Sequence, residues 1–320
     1  MTTPAIDVHG LRKCYGKQVV LDDVDLSVQA GTVTALLGPN GAGKTTTVHV
    51  LSTLLRPDAG TAFVNGCDIV RDQAGVRTQI GLTGQFSAVD SLLTGEENLM
   101  LMARLRHLRP KRSKARVAEL LDQFDLVDAA RKPLATYSGG MQRRLDLAMT
   151  LVQAPSVIFL DEPTAGLDPR SRRTMWDIVR GLVMEGTTVL LTTQYLNEAD
   201  HLADRIAVLD GGRIVAEGTP NELKRLVPGG HIRLRFGDAI ALDAAARLLD
   251  ESTRDDVDLA LIVPSDGGVG ALRSVLDRLE TAKVEVADLS IHTPDLDDVF
   301  FALTGTKTQA GPVDAKGMKS

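Results

Sequence analysis

The sequence has 320 residues, 43% hydrophobic and 24% charged, which allows one large globular domain plus a small one and excludes a wholly disordered chain. Its formal net charge of -6 and isoelectric point near 5.6 argue against a nucleic-acid partner, because domains that grip phosphate backbones carry a basic excess. Cys14 and Cys67 stand far apart without ligand-spaced neighbours, which excludes a disulfide framework or zinc site; no apolar run reaches the roughly 18 residues that span a bilayer, and the N-terminus lacks the basic start and apolar stretch of a secretory signal.

In chain order, residues 5–12, 19–28, 32–37 and 61–69 are β-branched runs separated by turns, and each predicts a strand. The third run stops at Gly38 and helix-forming residues follow from Lys44 to Leu55, which makes a strand, glycine loop and helix. Thr94 and Glu97 form a T-x-x-E capping box that opens a helix through His107, and Ser113 to Phe124 repeats apolar residues at helical spacing. The stretch from about 86 to 155 therefore reads as a helical insert. The basic residues Arg109 to Arg116 inside it read as a solvated helix face.

Residues 156–163 and 187–194 predict buried strands, and 205–218 a hairpin turning at Gly211 and Gly212. Buried strands flanking helices predict an α/β fold with a mostly parallel core sheet and right-handed crossovers. The cluster Val227-Pro228-Gly229-Gly230 reads as a linker, so the expected division is 5–227, then a small α/β domain at 229–305, then a disordered tail at 306–320 with almost nothing apolar to bury.

Residues 38 to 45, Gly38-Pro39-Asn40-Gly41-Ala42-Gly43-Lys44-Thr45, satisfy G-x-x-x-x-G-K-[ST] between a predicted strand and a predicted helix. Glycines at this spacing let successive N-H groups turn toward one phosphate, and the helix N-terminus adds partial positive charge. Lys44 is expected to bridge the terminal phosphates and Thr45 to ligate Mg²⁺. Alone, this loop serves kinases, GTPases, motors and transporters alike. The run Val157 to Glu162 adds a buried strand ending in two acids, Asp161 for Mg²⁺ and Glu162 for the attacking water.

Tyr137-Ser138-Gly139-Gly140-Met141-Gln142, placed about twenty residues before those acids, resembles the signature sequence of ABC ATPases. The resemblance covers about residues 5 to 225. It implies ATP as substrate and a P-loop ABC ATPase domain with an antiparallel β subdomain and helical insert. It also implies that ATP is clamped between Gly38 to Thr46 of one copy and Ser138 to Gly140 of a second, so the chain would act as a homodimer.

By the same resemblance Tyr15 stacks on adenine, Gln85 senses Mg²⁺ and faces a membrane partner, and Ala165-Gly166-Leu167-Asp168 forms the D-loop. Leu296 to Gly305 is similar to the tail of daunorubicin-resistance-type exporter ATPases. That similarity implies a separately encoded integral-membrane permease, a place on the cytoplasmic membrane face, and export of a drug-like or amphiphilic compound; the ATPase motifs alone leave import open. Two positions depart from the pattern: Met141 where Gln is usual, and Gln194 where a switch His is usual. A Gln amide donates a hydrogen bond but gains no proton near neutral pH, so Gln194 is expected to support geometry rather than proton transfer.

Overall fold

A computed structural model of the chain describes residues 3–84, 89–226, 230–249, 251–265, 268–292 and 294–305. The expected linker residues 227–229, the tail 306–320 and Gln85 lie outside them. The chain divides into two compact units, 1–220 and 221–320.

The first unit opens with β1 (Ile6–Tyr15) and β2 (Gln18–Val28), then β3 (Val33–Leu37) and α1 (Lys44–Leu51). There follow β4 (Ala59–Val64), β5 (Cys67–Asp68), α2 (Gln73–Gln79) and β6 (Ile80–Thr83). The central portion carries α3 (Gly95–Leu105), α4 (Pro110–Gln123) and α5 (Gly139–Thr150). The unit closes with β7 (Val157–Asp161), α6 (Pro169–Met184), β8 (Thr188–Thr193), α7 (Leu196–Leu202), β9 (Arg205–Asp210) and β10 (Arg213–Gly218). A short helix, α8 (Pro220–Lys224), straddles the division.

Two sheets form. An antiparallel one runs β2-β1-β4-β5, and a six-stranded one runs β10-β9-β3-β8-β7-β6. In the second, β9, β3, β8, β7 and β6 are parallel and only β10 is antiparallel, turning back from β9 through Gly211 and Gly212, both with positive φ. Strands β3, β7 and β8 are buried at every residue, which is why they read as unbroken apolar runs rather than alternating ones. Their carboxyl ends, Leu37, Asp161 and Thr193, lie side by side, and Gly38 N-H donates to Thr193 O (3.3 Å).

The described part of the 86–155 stretch contains helices and single 3-10 turns. The Thr94 capping box is present in both directions, Glu97 N-H to Thr94 Oγ1 and Thr94 N-H to Glu97 Oε2. The helix after the glycine loop ends at Leu51, four residues short of expectation, because Thr53 takes a left-handed φ of 64° and the chain turns there toward β4.

The second unit has β11 (His231–Arg235), α9 (Ala239–Leu248), β12 (Thr253–Asp255), β13 (Ala260–Pro264), α10 (Val269–Thr281), β14 (Asp288–His292) and α11 (Leu296–Thr304). Its antiparallel sheet runs β12-β13-β11-β14, over a core that includes Ile232, Leu234, Leu242, Leu261 and Leu279. The run 284–291 alternates apolar residues as a strand would, but the strand it yields starts only at Asp288. Helix α11 begins at the capping box of Asp295 and Asp298.

Candidate functional site

The loop between β3 and α1 can only be built from glycine where glycine stands. A Cβ on Gly38 would sit 2.2 Å from Leu209 O, and one on Gly43, whose φ is 110°, would sit 2.7 Å from Leu21 Cδ2 and 2.9 Å from Val20 O. Gly41 also has positive φ, 83°. Ala42 N-H donates back to Pro39 O (3.2 Å), closing the turn, while Asn40 and Gly41 stay exposed and Thr46 is half-buried. The α1 cap carries no side-chain hydrogen bond, so the donors at this helix tip are left for an anion.

Lys44 is 5% exposed and curls over the loop, donating to Gly38 O (2.8 Å) and Pro39 O (3.0 Å), with Glu162 Oε1 3.8 Å away. Burial lowers its pKa, and the Glu162 and Asp161 carboxylates oppose that shift. Thr45 Oγ1 donates to Asp161 Oδ1 (3.2 Å), and Thr192 Oγ1 donates to the same oxygen. The other oxygen, Asp161 Oδ2, is buried with no hydrogen-bond partner. A buried carboxylate oxygen without a donor is costly unless a cation or water meets it, so the pair Thr45 and Asp161 fits a hard divalent ion.

Glu162 follows directly and adopts φ 47°, the left-handed region unfavourable for a side chain. Its N-H is held by Thr192 O and Thr192 Oγ1, both at 3.1 Å, which turns its carboxylate out of the strand toward Lys44. Gln194 lies one residue past β8, half-buried beside the loop that Thr193 O anchors.

Ser138 caps α5, accepting from Met141 N-H (3.3 Å). Ser138 and Gly139 are exposed, whereas Gly140 is buried so closely that a Cβ would lie 2.5 Å from Ser171 Oγ. Among the described residues no hydrogen bond or ion pair joins this helix tip to the loop 38–46. A cavity of about 450 Å³ lies between it and Glu162 instead, lined by Gly139, Gln142, Arg143, Glu162, Gly166 and Leu167. Tyr15 ends β1, 49% exposed, with the Lys13 ammonium 5.8 Å from the centre of its ring; β2, the next strand, supplies the Val20 carbonyl and the Leu21 side chain that back Gly43.

Three residues that sequence reading passed over hold this geometry. Arg143, on α5, donates to Pro163 O (2.9 Å), Gly84 O (2.9 Å), Asp161 O (3.1 Å) and Glu162 O (3.3 Å) and pairs with Asp146 (3.2 Å). Burial lowers its pKa, opposed by Asp146, Asp161 and Glu198. Thr192 is the acceptor and donor just described. Glu198, fully buried on α7, accepts from Thr164 Oγ1 (2.8 Å) and Trp176 Nε1 (3.2 Å). The available signals were an arginine five residues past the signature serine and an acid inside an apolar helix face.

Burial raises the Glu198 pKa, with the Thr193, Thr164 and Trp176 hydrogen bonds and Arg172 opposing. The native state therefore keeps this proton over a pH range in which the unfolded chain has released it. Within that window the native state binds more protons, so stability falls as pH rises from the ordinary carboxylate range to the raised value. Glu198→Gln keeps the acceptor and removes the ionisation. Its melting temperature is expected to decline less than the parent's as pH rises from the ordinary carboxylate range. Parallel slopes would show that Glu198 ionises normally.

The ABC transporter family model matches residues 21–165, a span that holds the glycine loop, the signature tip and both acids. A daunorubicin resistance ATP-binding protein of Streptomyces coeruleorubidus is 53% identical over 307 residues, 95% of this chain and 97% of its own. The chain belongs to the ABC transporter ATP-binding family. A doxorubicin resistance ATP-binding protein of Mycobacterium tuberculosis is 48% identical over 316 residues, 96% of this chain and 95% of its own. Among solved structures, a dimeric post-hydrolysis ATP-binding cassette bound to ADP and phosphate aligns with TM-score 0.61 at 25% identity, covering 67% of this chain and 98% of that one. As an ABC ATPase the chain binds nucleotide and hydrolyses ATP, and among its described residues no helix is long and apolar enough to cross a membrane.

Proposed function

We propose that two copies of this ABC ATPase hydrolyse Mg-ATP at two composite sites and thereby power a separate membrane permease that exports a drug-like or amphiphilic compound. The observation that carries the dimer is the separation, within one chain, of two helix tips, 38–45 and 138–140, whose outermost residues, Asn40 and Gly41 in one and Ser138 and Gly139 in the other, are exposed. Each tip offers unpaired backbone N-H groups and partial positive charge, so a polyphosphate between two copies satisfies both at once. The exposed D-loop residues Ala165 and Gly166 and the exposed Tyr15 ring belong to the same reading, as the surface that meets the partner copy and the face that stacks on adenine.

Within each site, Gly38 to Thr46 would cradle the phosphates and Lys44 would leave its loop carbonyls for the terminal ones. Thr45 and Asp161 would hold Mg²⁺, with Gln85 approaching from the permease side. The ion, when bound, neutralises charge that develops on the transferring phosphate. Glu162, turned out by its strained backbone, would orient and deprotonate water, and Gln194 would donate to the γ-phosphate without changing protonation.

The names of the relatives, resistance proteins for daunorubicin and doxorubicin, support export. On this reading the protein sits at the cytoplasmic membrane face, and residues 230 to 305 stabilise or regulate the dimer. Affinity purification from detergent-solubilised membranes is expected to bring down an integral-membrane companion. Recovery of soluble proteins alone would overturn the transporter reading.

A further inference from the structure

Helices α3 and α4 meet at a short basic connection. Arg106, His107, Arg109, Lys111 and Arg112, together with Val152 from the end of the α5 segment, line a pocket of about 840 Å³. All five basic residues are exposed, and among the described residues none of the four permanent cations forms an ion pair. The one acid engaged nearby on α4, Glu119, is taken by Arg116 at 2.7 Å.

The placement is electrostatically unfavourable without a ligand. Arg109 is the N-cap of α4, Lys111 and Arg112 lie in its first turn, and that turn holds no acid. A helix N-terminus is the positive end of the macrodipole, so cations there cost stability and repel one another. In a chain of net charge -6, a concentrated cluster of this kind in a cavity is a local conflict of the sort that sites of function retain. Arginine guanidinium forks match phosphate oxygens in pairs, and several cations side by side match a layer of phosphates better than one small anion. Leu105, 63% exposed immediately before Arg106, and Leu101, 39% exposed one turn earlier on α3, add apolar surface beside the charge.

We propose that this pocket binds phosphate-bearing anions, and that its ligand is the headgroup layer of an anionic phospholipid surface. The site would hold the helical segment against the bilayer while leaving both ATP-binding tips free. The inference takes from the family assignment only that the chain works beside a membrane, and it is independent of the compound transported.

The test is co-sedimentation of the full chain with vesicles of phosphatidylcholine containing phosphatidylglycerol, and with phosphatidylcholine alone. Binding is expected only to the anionic vesicles and to weaken with added salt. The variant Arg109→Glu with Arg112→Glu is expected to lower partition by at least about 20-fold, taking roughly five-fold per basic residue lost. Arg247→Glu with Lys283→Glu makes the same change of net charge elsewhere on the exposed surface and is expected to lose far less. Unchanged ATPase rates without vesicles show that both variants fold. Equal losses from the two double variants would reduce the effect to bulk charge and overturn the proposal. If inorganic phosphate shifts the amide resonances of residues 106–112 while vesicles do not bind, the site takes a free anion and the lipid assignment fails. A separate failure to recover a permease would leave this vesicle result standing.

Discussion

Glu162→Gln is expected to slow ATP hydrolysis by roughly 10²- to 10⁴-fold, about 3 to 5 kcal/mol of barrier, while nucleotide binding persists. The basis is a carboxylate held out of β7 by a left-handed backbone, its N-H fixed by Thr192 and its Oε1 3.8 Å from Lys44 Nζ. Glutamine preserves shape and the backbone bonds but accepts no proton from water. Steady-state phosphate release reads the rate, and a fluorescent ATP analogue reads binding. Wild-type turnover would remove Glu162 from the proposed role. The same variant should collect as an ATP-bound dimer in gel filtration, since the composite site would close without reopening.

Arg143→Met is expected to destabilise the first unit by about 3 to 5 kcal/mol, because it removes a buried cation from a carboxylate and from four carbonyls packed around it. For a unit of this size that corresponds to a fall in melting temperature of roughly 6 to 20 °C. Hydrolysis should fall as well, since Arg143 holds the carbonyls of Asp161, Glu162 and Pro163, the segment that carries both acids. Arg143→Lys keeps the charge but loses the planar fork that reaches several acceptors, so it should lie between. A melting temperature for Arg143→Met within a degree or two of the parent would show that the carbonyls find other donors.

The glycine loop, the two acids at the end of β7 and the capped tip of α5 were legible in the sequence because their chemistry is local. A glycine spacing, a cap and a strand terminus are each set by a few neighbouring residues, and Gly38, Gly43 and Gly140 stand where no side chain fits. Helix ends and strand starts were less legible. Residue 53, where the chain turns early, and Asp288, where β14 begins, depend on what packs alongside rather than on their own propensity.

The sequence by itself determined the α/β class, the glycine cradle, the order of the motifs and the helical stretch between them, since periodicity and short-range backbone chemistry carry that information. Only the tertiary structure decided that Asp161 keeps one buried oxygen unpartnered, that Arg143 ties α5 to the acids, that Glu198 is sealed between Thr164 and Trp176, and that four cations share one pocket. Those facts depend on side chains far apart in the chain meeting in a low-dielectric interior or on one surface. The energy of such a meeting belongs to the folded arrangement, not to any stretch of residues read alone.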